Sequence, residues 1–163
     1  MTTPSLLWSR SPRAGTLPVE QAFGHVGQEL FVTDWRMVDR AHLDSFHWSV
    51  DSTAEASNTS TNASFPRGDD NIDGVMLVSL VQAAFFNNYP FWSEAWVSYN
   101  YGFDKVRFPH TVYVDDELRL RVVLLEVTQK TSGILMRNRV TMEVKGSERP
   151  ALSAEFLVLG TPA

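Results

Sequence analysis

The sequence predicts an α+β domain in which an antiparallel sheet curls around one buried helix. Two features carry that expectation. The stretch "DNIDGVMLVSLVQAAFF" (70–86) sends twelve residues, of which only Ser79 and Gln82 are polar, straight out of a polar tip. Behind it, 94–160 holds four long segments of β-type composition separated by turn residues. With 163 residues and 44% hydrophobic content the chain suffices for a single filled core, so one domain spanning 1–163 is expected.

The elements follow in order. Residues 1–20, with Pro4, Pro12, Gly15 and Pro18, read as an arm laid over the surface or partly disordered. "ELFVTDWR" (29–36) reads as a short strand. In "VDRAHLDSFHWSV", Leu43, Phe46 and Val50 recur at helical spacing behind Asp39, a suitable N-cap. From 52 to 71 the composition turns to Ser, Thr, Asn, Ala and Gly, which predicts a polar loop of functional or disordered kind.

Val75, Met76, Leu77, Val78, Leu80, Val81, Phe85 and Phe86 then place apolar groups around a whole helical circumference, so that helix needs enclosure. Burying those eight side chains contributes on the order of 10–25 kcal/mol before ordering entropy is subtracted. The segments "EAWVSYNYGFDKVRF", "DELRLRVVLLEVTQ", "SGILMRNRVTMEVKG" and "PALSAEFLVLG" complete the chain as an antiparallel meander. A sheet wrapped over the helix satisfies both halves at once.

Composition removes several function classes. The net charge is −5 and no long Lys/Arg cluster occurs, which argues against a nucleic-acid partner. Without cysteine there is no disulfide, Cys-ligated zinc or thiol nucleophile, and the four histidines at 25, 42, 47 and 110 lack metal-ligand spacing. No apolar run approaches the ~20 residues that span a bilayer, and "MTTPSLLWSRSPRAG" lacks the pattern of a secretory leader. A cytoplasmic protein without membrane association is the expectation.

Specific residues resemble the MaoC-like dehydratase branch, the (R)-specific enoyl-CoA hydratases and their relatives, which have the hot-dog fold. They are "GQELFVTDW" (27–35), "FHWSVD" (46–51), "IDGVMLVSL" (72–80) and, closest of all, "YNYGFDKVRF" (99–108). The resemblance implies an enzyme that adds water to, or removes it from, an acyl thioester through an enolate. In such enzymes an aspartate and a histidine five residues later move the protons, and a backbone N–H at the start of the buried helix holds the carbonyl. Developing enolate charge needs that amide and the helix dipole.

Asp51 falls on the aspartate of that pattern and Gly74 on the glycine opening the helix, while Ala56 stands where the histidine belongs and Asp73 precedes Gly74. The resemblance therefore assigns Asp51 as the base and the Gly74 N–H as the oxyanion donor; Asp73, which departs from the pattern, or a loop residue completes the expected catalytic set as the second proton carrier. Glu55, Ser57 and Asn58 in the loop, His47 on the short helix and Trp92 behind the buried one are the substrate-binding residues expected. His47 doubles as a substitute base.

Each assignment has a plainer alternative. Asp51 can cap a turn, Asp73 can cap the buried helix, and His47 can pack on a helix surface. Arg107 and Lys105 could meet coenzyme A phosphates or simply alternate in charge along a strand. Tyr89, Phe91, Trp92 and Trp96 suit a core, an interface, or the wall of a pocket for a bulky acyl chain or ring. No cofactor is expected beyond coenzyme A or an acyl carrier as part of the substrate. A homodimer is implied, since a lone curled sheet leaves an outer apolar face and open edges. A non-catalytic acyl-binding protein, an inactive subunit of a heteromeric hydratase and a hot-dog thioesterase remain as alternatives.

Overall fold

The computed structural model describes residues 7–12, 14–50, 70–92 and 95–163. Six strands, β1 (Glu29–Val32), β2 (Arg36–Met37), β3 (Trp96–Arg107), β4 (Glu117–Lys130), β5 (Gly133–Val144) and β6 (Leu152–Pro162), form one antiparallel sheet. Among the described residues two helices, α1 (Arg40–Ser49) and α2 (Gly74–Asn88), accompany a 3-10 segment at Val19–His25 that the sequence reading did not anticipate. The sheet order is β1-β4-β5-β6-β3, with β2 also on β4.

Alternation builds the sheet around α2. Along β4, Leu118, Leu120, Val122 and Leu124 face inward and are fully buried, while Glu117, Arg119 and Arg121 are only partly covered. Phe85 of α2 stacks on Tyr89 at 4.2 Å and meets Phe156 of β6 edge-on at 4.8 Å, and Phe156 in turn stacks on Phe103 of β3. Asn138 is a fully buried polar side chain; its amide donates to the Phe156 carbonyl and its Oδ1 accepts from the Tyr89 hydroxyl. Burial pushes the Tyr89 phenol well up, so that ring stays neutral.

Several expectations need correction. The segment 29–36 is two strands, because Thr33 closes both sides of a bend: its N–H donates to the Leu120 carbonyl and its Oγ1 accepts from the Leu120 N–H, both at 2.9 Å. The meander holds only for β4, β5 and β6. β3 lies beyond β6, paired from Trp96↔Pro162 to Arg107↔Ser153, and its chain crosses back to β4 past the entry to α2, where the Ile72 N–H donates to the Val112 carbonyl and the Val114 N–H to the Asp70 carbonyl.

Nor is α2 enclosed on all sides. Met76, Leu77, Val81, Ala84 and Phe85 are buried, but Val75 is 67% exposed and Val78, Leu80 and Phe86 are only half-buried. On α1, Asp39 caps as expected, accepting from the His42 N–H at 2.9 Å, and that bond holds its carboxyl below the usual range. Leu43 enters the core, whereas Val50 ends the helix half-exposed.

The outer face of the sheet is charged over much of its area rather than apolar. Arg119 and Arg121 both donate to Glu143 at 2.6 Å, Arg121 also pairs with Glu29, and Arg137 bridges Asp104 and Glu155. Lys105 belongs to this network through Glu155 at 2.6 Å, and Arg107 donates to the neighbouring Val106 carbonyl.

Candidate functional site

The start of α2 is held from three directions. Ile72 is buried, the hydrogen bonds to the β3–β4 connection fix the backbone just before it, and Asp70 pairs with Arg40 of α1. Asp73 occupies the N-cap position in extended geometry, φ −62° and ψ 140°, yet its carboxylate makes no capping hydrogen bond. Its Oδ2 lies 2.9 Å from Nε2 of His47 instead. An ionised carboxylate only accepts, so in that contact the Nε2–H of His47 is the donor.

The consequence is a hydrogen-bonded carboxylate–imidazole pair beside a set of amides. The Asp73 carbonyl accepts from the Leu77 N–H at 3.1 Å, which closes the first helical turn. The N–H groups of Gly74, Val75 and Met76 precede the reach of intrahelical bonding, and no side chain of Asp73 covers them. They carry the positive end of a 15-residue helix dipole. His47 is 25% and Asp73 53% exposed, so both are oriented but reachable.

Gly74 has a packing reason for its identity. A Cβ at that position would lie 2.9 Å from the Phe108 ring, which leans on the helix start from the end of β3. Phe108 is itself half-exposed, and sequence reasoning missed its role, although the "VRF" that ends the quoted strand segment contained the signal.

Three of the expected site residues, Gly74, Asp73 and His47, thus come together. Asp51, Glu55, Ser57 and Asn58 lie outside the described residues. Trp92 stands at the other end of α2, about 22 Å from Gly74 along a helix of this length, in a cleft with Arg10 and Trp96. His42 is bonded to Asp39, and among the described residues no cluster of three His, Asp or Glu side chains could hold a metal. No helix of the described residues is long and apolar enough to cross a membrane.

No protein-family model matches the chain. A curated relative, nodulation protein N of Rhizobium leguminosarum bv. viciae, is 30% identical over 141 residues that cover 82% of this chain and 85% of that one. The chain belongs to the nodulation protein N family. This family member has the hot-dog fold of MaoC-like proteins. The (R)-hydratase from A. caviae involved in PHA biosynthesis superposes with a TM-score of 0.62 at 19% identity, covering 82% of this chain and 95% of that one. The MaoC-like dehydratase from Rhodospirillum rubrum gives 0.60 at 14% identity, covering 85% and 94%.

Proposed function

We propose that the protein is a hydratase or dehydratase acting on an acyl thioester, or on a related β-hydroxy or β-oxo carbonyl compound, through an enolate formed at the start of α2. The observation that carries this reading is the diversion of Asp73 from capping to His47, which leaves the amides of the first turn for a carbonyl oxygen and puts a proton-carrying pair beside them.

In the dehydration direction the thioester oxygen accepts from the Gly74 N–H, supported by the helix dipole. A basic atom of the His47 and Asp73 pair takes the α-proton, and its electrons move into the enolate. The enolate then re-forms the carbonyl as the β-carbon to oxygen bond breaks. The departing hydroxyl takes the proton back from the pair and leaves as water. Hydration runs the same steps in reverse. Asp51, the base that the resemblance assigns, would add a second carboxylate to this pair.

The panel that tests the reading is a set of 2-enoyl and 3-hydroxyacyl coenzyme A thioesters, with products identified by mass spectrometry. On the member that reacts, His47→Gln and Asp73→Asn each lower kcat by about 10²–10⁴-fold with little change in KM, the usual weight of one general acid–base group. Unchanged kcat in both variants removes the pair from the mechanism. Free coenzyme A as product identifies the thioesterase alternative.

Ala56 supports a second reading, an acyl-binding subunit that is inactive alone. No turnover across the panel, together with activity on mixing with a second hot-dog chain, selects that alternative.

We further propose a homodimer paired through β3. This strand ends the sheet, is twelve residues long and exposes Val97, Tyr99 and Tyr101. The charged outer face is a poor alternative surface, because its ions would have to be desolvated.

A further inference from the structure

At the end of α2 opposite to Gly74 the chain builds a second concavity of about 530 Å³. This is within the ordinary range of small-molecule sites. Its walls are aromatic: Phe86 and Tyr89 from the end of α2, Phe91 and Trp92 from the segment that follows, and Trp96 from the start of β3. Arg10, on the N-terminal arm, is the charged residue among its described lining.

The walls are fixed before any ligand arrives. The arm is stitched to the end of α2 by backbone bonds from the Ser11 N–H to the Asn87 carbonyl and from the Gly15 N–H to the Tyr89 carbonyl, at 2.7 and 2.9 Å. The Trp92 N–H donates to the Leu17 carbonyl at 2.9 Å. Gly15 has φ +67°, and a Cβ there would come within 3.3 Å of the Trp92 ring, so the arm's turn is shaped to let the indole lie on it. The Tyr89 hydroxyl points away into the interior, toward Met136 and Asn138, so only its ring faces the space.

Two features select the occupant. Trp92 is 42% exposed although its backbone is tied down, so its ring offers a flat apolar face. Arg10 has no ion pair among the described residues and no carboxylate joins it in the described lining, in a chain whose net charge is −5. A planar fork of donors beside aromatic rings suits a carboxylate attached to a flat apolar body.

We propose that this cleft binds an aromatic carboxylic acid of about two fused rings, its carboxylate on Arg10 and its rings against Trp92 and Trp96. The site is separate from the α2 start and stands independently of the reaction proposed there.

Calorimetric titration of the full chain with 2-naphthoate tests it. Saturable one-to-one binding is expected, weaker by about tenfold or more in Arg10→Gln and again in Trp92→Ala, and weaker to the same degree for uncharged 2-naphthylmethanol. Asp73→Asn should bind 2-naphthoate like the unaltered chain. Absence of saturable binding overturns the proposal, as does binding indifferent to both cleft variants, equal affinity for the alcohol, or a loss confined to Asp73→Asn, which would place the ligand at the other end of α2.

Discussion

The identity of Gly74 is decided by a ring rather than by backbone freedom. Alanine at this position is well tolerated by a first helical turn, and the atoms it would meet are the far edge of Phe108, a half-exposed side chain able to swing aside. Gly74→Ala is therefore expected to change unfolding free energy by less than about 1.5 kcal/mol, while turnover on the reacting thioester falls because Phe108 has moved over the helix start. Denaturant unfolding and kinetics on one preparation check this, and Gly74→Ala combined with Phe108→Leu should recover part of the activity. Asp73 teaches a related lesson. Its position before an apolar run reads in the sequence as a cap, and its place in the chain is that of a cap. Only the approach of α1, from 26 residues upstream, reveals that its carboxylate is used elsewhere. A contact of that separation leaves no periodic trace in the sequence. The loop residues Glu55, Ser57 and Asn58 were legible only as composition.

Elements were easier to read than their neighbours. The run behind Gly74 and the alternating segments of β4, β5 and β6 announced themselves by periodicity, because burial on one face of a strand imposes a period of two. What periodicity cannot encode is which strands pair, and β3 duly lies beside β6 rather than β4. The charges along the outer face were visible as alternating letters, but their pairing across strands was not. Glu155 shows what that pairing does: the Lys105 ammonium, opposed by partial burial and reinforced by Arg137, holds its carboxyl below the ordinary glutamate value. A lowered folded-state value means stabilisation that is present above the ordinary carboxylate range and lost as pH falls through it and on to the folded-state value. Urea unfolding near neutrality and near pH ~3 should therefore show a smaller acid-induced loss of stability in Lys105→Met than in the unaltered chain. An equal or larger loss would separate Glu155 from the acid sensitivity. Since Lys105 is 75% exposed, the difference is modest and shrinks in added salt.

For the whole molecule the question is what covers the end of the sheet. Tyr101 is 62% exposed on β3, and a glutamate there would place a charge in the proposed seam between two copies. Sedimentation should find the unaltered chain as a dimer and Tyr101→Glu shifted toward monomer at equal concentration; a monomeric unaltered chain removes the proposed pairing. The sheet's strand order also has a consequence for how the chain is made. β3 leaves the ribosome before β6, its strand partner among the described residues, and some 45 residues separate Arg107 from Leu152. At ~5–20 residues per second, a twelve-residue strand with unpaired backbone N–H and C=O groups waits roughly 2–9 s for the segment that pairs with it. Release of a nascent chain before Leu152 would strand that edge, making late translational stalling a direct route to aggregation.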